Sequence, residues 1–126
     1  WNYEKTFGFK GEPVCCPAYN TGVFSRFVKV GNIRVVGCGH DHNSNYGGNL
    51  NGIDLVYGQK TGYGSYGPVR TPRGGRVFKL KEHLDSRGVI TWSYETYSIF
   101  EDGTIKYPEE PRWQGGRMFQ EECSLD

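Results

Sequence analysis

The 126-residue sequence has almost no net charge, few histidines and no long hydrophobic run, and each shortage removes a class of function. Fifteen basic residues against 14 acidic ones leave a formal charge of +1. That lacks the basic excess with which a nucleic-acid binder offsets phosphate repulsion. No apolar stretch approaches the roughly 20 residues that a membrane-spanning helix requires. No Asn-X-Ser/Thr sequon occurs, so glycosylation offers no independent sign of secretion. The chain opens at Trp1 with neither Met nor a signal peptide, which reads as a processed product, a fragment or an incomplete sequence. Its length predicts one small domain rather than two with separate cores.

Glycine and tyrosine, at 19 and nine residues, are abundant and predict many turns and short strands rather than a helical bundle. The expected class is α+β: strand-rich, with one or two short helices. Residues 1–19 read as irregular, broken by Gly8, Gly11, Pro13 and Pro17. Asn20 or Thr21 is suited to cap a helix over about residues 22–30, where Val23, Phe24, Phe27, Val28 and Val30 approximate one face. Gly31-Asn32 ends it. Ile33-Arg34-Val35-Val36-Gly37-Cys38 reads as a buried strand, β-branched and nearly uncharged, running into Gly39-His40-Asp41-His42. Further strands are expected at about Ile53 to Tyr57, Arg76 to Leu80 and Ile90 to Phe100. The turn dipeptide Asp102-Gly103 then leads to Thr104-Ile105. Residues 57–68 form a Gly/Tyr loop, and residues 107–126 read as a tail.

Four cysteines, Cys15, Cys16, Cys38 and Cys123, allow at most two bridges in any of three pairings. Strain disfavours a bond between the adjacent Cys15 and Cys16. A bridge from either to Cys123 would tie the tail to the body and imply an oxidising, extracellular compartment. Free buried thiols are the alternative.

The pattern His40-Asp41-His42 at the end of a strand has a chemical use. Imidazoles at i and i+2 on a turn can approach two metal ions about 3.5–4 Å apart, the spacing that activates water and neutralises phosphoryl charge in phosphoesterases. Asp41 can orient a ring nitrogen from behind. Taken alone, the same three residues equally describe two solvated loop histidines.

The surrounding sequence narrows that choice. Val35-Val36-Gly37-Cys38-Gly39-His40-Asp41-His42-Asn43 resembles the last metal-binding block, Gly-His-x-His, of the calcineurin-like (purple-acid-phosphatase-type) metallophosphoesterases. Upstream, Pro13-Val14-Cys15-Cys16-Pro17 followed by Tyr19-Asn20, Gly22 and Phe24 is similar to the segment before the last helix in a subgroup of that family. Downstream, Asn51-Gly52-Ile53, Tyr57-Gly58, Thr61-Gly62-Tyr63-Gly64 and Arg73-Gly74-Gly75-Arg76-Val77 extend the likeness, which covers about residues 10–105.

The resemblance implies a partial calcineurin-like sandwich, with residues 1–106 as the C-terminal portion of the domain. It implies a pair of iron, manganese or zinc ions, with His40 and His42 as ligands, Asp41 and Asn43 supporting them, and phosphomonoester hydrolysis as the reaction. Tyr63 and Tyr66 become candidates to touch substrate, against a plainer role as packing aromatics. In the family an Asp-x-His pair, a Gly-Asp-x-x-Asp block, a Gly-Asn-His block and a further histidine all precede Gly-His-x-His. Here the first 39 residues contain no histidine and no aspartate. A metal pair is therefore expected only if a partner completes the site, either the N-terminal half of the same precursor or further copies of the chain. The competing expectation is a non-catalytic, self-associating structural or extracellular protein built on the phosphatase half-fold. His83, in a charged segment, is expected on the surface.

Overall fold

A computed structural model of the chain describes residues 6–108. In chain order the elements are β1 (Thr6–Phe7), α1 (Val23–Val30), β2 (Val35–Cys38), β3 (Gly47–Leu50), β4 (Ile53–Tyr57), β5 (Gly74–Leu84), β6 (Ile90–Phe100) and β7 (Ile105–Lys106). They form a four-stranded sheet ordered β1-β3-β4-β2 and a three-stranded sheet ordered β5-β6-β7. The fold is α+β and strand-rich, with one short helix among the described residues, as the glycine and strand patterning predicts. No helix among them is long and apolar enough to cross a membrane.

Local chemistry accounts for the elements. Gly31 ends α1 in the left-handed region, at φ 79°, and its N–H donates to the Phe27 carbonyl. Asn51 and Gly52, at φ 49° and 79°, make the tight turn joining β3 to β4, because both central residues must adopt positive φ. β2 lies parallel to β4, with Val35 opposite Asp54 and Cys38 opposite Tyr57. β5 and β6 pair along their whole length, from Gly74–Phe100 to Leu84–Ile90.

Several expectations are corrected. The helix cap is Gly22, at φ 74° and without a side-chain cap; Asn20 instead accepts a hydrogen bond from the Gly22 N–H. Residues 33–38 do not form a buried strand. β2 begins at Val35, and Gly37 and Cys38 are exposed, because β2 is the edge of its sheet and pairs with β4 alone. The expected irregular segment 1–19 contributes β1, and β3 has no counterpart among the expected strands. The strand expected at Arg76 to Leu80 extends to Gly74–Leu84. Of the tail, residues 109–126 lie outside those described.

The interior is unusually polar. Its buried apolar side chains among the described residues are Tyr46, Ile53 and Val56, against the buried polar Asp41, Ser44, Asn45, Gln59, Thr96 and Ser98. Asn45 organises them. Its backbone N–H donates to the Phe9 carbonyl and its Oδ1 accepts from the Phe9 N–H. Its Nδ2 donates to Gln59 Oε1, and its own carbonyl accepts from Arg76 Nη2 at 2.6 Å. Arg76 Nε donates to the Tyr57 carbonyl at 2.7 Å, so this one guanidinium joins β5 to the first sheet. Burial pulls its pKa down from the usual arginine value. The Tyr94 hydroxyl makes a second tie, to Asp54 Oδ2.

Apolar surface remains outside. Directly paired residues of an antiparallel ladder share a face. Thus Leu80 with Tyr94, Trp92 and the Leu84–Ile90 pair form one stripe on the β5–β6 hairpin. Leu80, Leu84 and Trp92 are 64%, 68% and 61% exposed, and no residue of α1 is buried.

Replacing Arg76 by methionine keeps the stem but removes both donors, leaving the Asn45 and Tyr57 carbonyls unpaired. We expect R76M to lower the unfolding free energy by about 2 kcal/mol, the scale of hydrogen bonds from a charged donor. Urea unfolding followed by tyrosine and tryptophan fluorescence measures this, and an unchanged midpoint would show that the sheets hold together without it.

Candidate metal-binding site

The residues after β2 turn sharply. His40 sits at φ 81°, in the left-handed region that bulky side chains rarely adopt. Its side chain is 77% exposed, whereas that of the neighbouring Asp41 is only 4% exposed. His40 Nδ1 lies 3.0 Å from Asp41 Oδ1. Because an ionised carboxylate only accepts, the imidazole nitrogen carries the hydrogen there. His42 Nδ1 lies 2.9 Å from the Tyr66 carbonyl oxygen, another obligate acceptor, so it too is protonated. In both rings Nδ1 is thus the donor to a neighbouring oxygen, which leaves Nε2 outside these hydrogen bonds, as in an imidazole that ligates a metal through Nε2.

The Gly/Tyr loop is docked onto this turn. The Tyr66 ring stacks on His42 with centroids 4.2 Å apart. Asn43 Oδ1 accepts from the Val69 N–H at 2.9 Å, and the Asn43 N–H donates to Glu12 Oε1 at 2.8 Å. The approach needs glycine: a Cβ on Gly67, at φ +62°, would stand 2.6 Å from Asn43 Oδ1, and one on Gly11 would stand 2.2 Å from the Asn43 carbonyl oxygen. Arg73 pins the loop from its other side by donating to the Gly62 and Gly67 carbonyls.

Of the two tyrosines, Tyr66 stands against His42. Tyr63 is held elsewhere: its hydroxyl donates to Glu101 Oε2 at 3.0 Å, and the Arg73 guanidinium lies over its ring. His83 is exposed on β5 and bonded to Ser93 Oγ at 2.6 Å, among neighbours that include neither His40 nor His42. Cys16 is in a disulfide, Cys15 and Cys38 are free thiols, and Cys123 lies outside the described residues. Glu12 escaped sequence reasoning, since it is 31 residues from Asn43 and belongs to no motif.

Asp41 dominates the local electrostatics. Cys38 is exposed as a residue, but its sulfur sits partly desolvated against the Val56 carbonyl, and that desolvation first, then the Asp41 charge, pushes the thiol up. Burial and the same carboxylate push the Tyr57 phenol far above its ordinary value. The Tyr66 phenol is raised by desolvation and by its hydrogen bond to Glu12. The second Asp41 oxygen and the Ser44 hydroxyl are buried without a hydrogen-bond partner of good geometry among the described residues. No cluster of three or more His, Cys, Asp or Glu able to hold a metal exists among the described residues. Among the described residues the site is therefore a pair of hydrogen-bonded imidazoles.

Relatives of the chain share one family name. It is 30% identical over 122 residues to Probable inactive purple acid phosphatase 28 of Arabidopsis thaliana, covering 93% of this chain and 30% of that protein. It is 39% identical over 74 residues to Probable inactive purple acid phosphatase 14 of the same plant, covering 59% and 18%. With Probable inactive purple acid phosphatase 29 the figures are 35% over 83 residues, covering 66% and 21%. No family model and no solved structure matches the chain. Its homologues are thus purple-acid-phosphatase-like proteins of the calcineurin-like superfamily, at low identity, and the chain spans less than a third of their length.

The raised thiol gives a direct test of the buried charge. Cys38 should alkylate slowly at pH 8 and accelerate as the pH rises, because only the thiolate reacts. Asp41→Asn removes a negative neighbour, lowers the thiol pKa and should speed the reaction at pH 8. Mass-spectrometric rates at Cys38 that are identical in the two proteins would place the carboxylate charge elsewhere.

Proposed function

We propose that the chain is the C-terminal part of a purple-acid-phosphatase-type protein and supplies the final two imidazoles, His40 and His42, of a binuclear metal centre. The carrying observation is that both rings are locked by Nδ1 hydrogen bonds with Nε2 left for a metal. Asp41 and Asn43 then serve as supports, one holding His40 and the other holding the loop that holds His42. Tyr66 is better placed than Tyr63 to meet a substrate. When present, a pair of iron, manganese or zinc ions would activate water for attack on a phosphomonoester. Two imidazoles do not fit such a pair unaided. Asp41 is committed to His40, and no bridging carboxylate is at hand among the described residues. By themselves these residues support no hydrolytic step, and the remaining ligands are assigned to an N-terminal region within the part of the longer relatives that this chain does not span. An extracellular setting is supported by the disulfide at Cys16.

A second reading, a non-catalytic protein on the phosphatase scaffold, is favoured by the word "inactive" in the names of all three relatives. The two readings separate in a longer chain that includes the N-terminal region: metal-dependent turnover supports the first, and tight folding without turnover supports the second. For the 126-residue chain both give one expectation. With iron, manganese or zinc added, it should hydrolyse an aryl phosphate no faster than its His40→Ala, His42→Ala double variant. Metal-dependent turnover lost in the variant would show that this chain completes the centre itself.

The apolar stripe of the β5–β6 hairpin is proposed to pack against that N-terminal region, or against further copies of the chain where the region is absent. Burying apolar surface is worth roughly 25 cal/mol per Å², and a net charge near zero does not oppose self-association. Sedimentation at micromolar concentration should reveal oligomers, weakened by Trp92→Ser with Leu80→Ser. A monodisperse monomer that binds no hydrophobic dye would remove the basis for this packing.

A further inference from the structure

A cavity of about 460 Å³ opens between the two sheets, and neither His40 nor His42 lines it. Among the described residues its walls carry three cations, Arg70, Arg76 and Lys106, and no carboxylate. The chain as a whole is nearly neutral, so this concentration of one sign is local. Neither Arg70 nor Lys106 forms an ion pair with the described carboxylates, which pair instead at Lys79–Glu95 and Arg87–Asp85. Arg76 spends Nε and Nη2 on backbone carbonyls, which are neutral, so its charge is also uncompensated. Concave walls of low polarisability focus such a field inward.

Four aromatic side chains, Phe7, Phe9, Phe100 and Tyr107, line the same space, alongside the polar Asn45, Thr71 and Ser98. Phe7 already lies beneath the Arg76 guanidinium, 5.6 Å from its carbon to the ring centroid. A cavity of this volume falls within the range of about 300–1,000 Å³ typical of small-molecule sites and is far larger than a bare inorganic anion needs. Cations and aromatic walls together suit a flat apolar body that carries an oxyanion. We infer that this cavity binds a small organic anion, an aromatic ring bearing a carboxylate or phosphoryl-type group, with Arg70 and Lys106 on the oxyanion. The inference is independent of the metal reading, since it uses none of the same residues.

The 126-residue chain should be titrated calorimetrically at low ionic strength, with a chelator present, using benzoate and phenylphosphonate, neither of which carries a hydrolysable phosphate ester. Saturable binding of either is expected, and the one preferred identifies the oxyanion. It should be at least about tenfold tighter than binding of inorganic phosphate or benzyl alcohol, each of which offers half of the recognised chemistry. R70Q and K106Q should each weaken it by about tenfold, the loss expected for one charge-assisted hydrogen bond. Their circular dichroism should be unchanged, because both side chains are exposed and bond to no described residue. The proposal is overturned by an absence of saturable binding or by equal affinity for inorganic phosphate, which marks an adventitious ion only. Dependence on added metal, or full affinity in the R70Q/K106Q double variant, would overturn it too.

Discussion

The fold depends on how Asn45 is satisfied. This buried residue sits three positions after His42, and its backbone and side chain bond to Phe9, Gln59 and Arg76. A buried amide left unpaired costs the full desolvation of its polar atoms, so these partners must be in place together. The consequence is geometric. The N-terminal segment, the second sheet and the Gly/Tyr loop all converge on the same short turn. Arg76 is the partner that spans the sheets, and its two carbonyl acceptors fix their relative placement.

From that convergence the histidine pair acquires its orientation. Asn43 is gripped by Glu12 on one side and by Val69 on the other, which holds the loop and therefore the Tyr66 carbonyl against His42. Asp41 is buried beside the turn and holds His40. Such bonding of Nδ1 to a carboxylate or a carbonyl is what directs a ligating imidazole. Among the described residues no group of three or more His, Cys, Asp or Glu could hold a metal, and the chain spans less than a third of the length of its phosphatase-like relatives. The open hairpin face tells a parallel story. Leu80, Leu84 and Trp92 are arranged as a face that packs, yet they are exposed.

Strand periodicity was readable in the sequence because a strand's side-chain alternation is a local property. Ile90–Phe100 and Ile53–Tyr57 appear where alternation and β-branching put them, and α1 lies between its apolar run and Gly31. β3 carries two glycines and one apolar residue, so it has almost no pattern to read, although Asn51-Gly52 was a hairpin signal that pointed to it. The expected burial of residues 33–38 failed for a different reason. Hydrophobicity reports what a strand prefers to touch, but its position at a sheet edge depends on which strands pair, and that is a long-range outcome.

By itself the sequence determined the class of fold, the likeness to purple-acid-phosphatase-like proteins, and the lack of any histidine or aspartate among its first 39 residues. Those are matters of residue identity and near-neighbour spacing. Only the tertiary structure decided which nitrogen of each histidine is engaged, because that rests on Asp41 being buried beside one ring and on a carbonyl 24 residues away meeting the other. It likewise decided that Arg70, Arg76 and Lys106 face one cavity. Charge in a sequence is additive, whereas the field in a cavity depends on which distant segments the hydrogen-bonded core draws together.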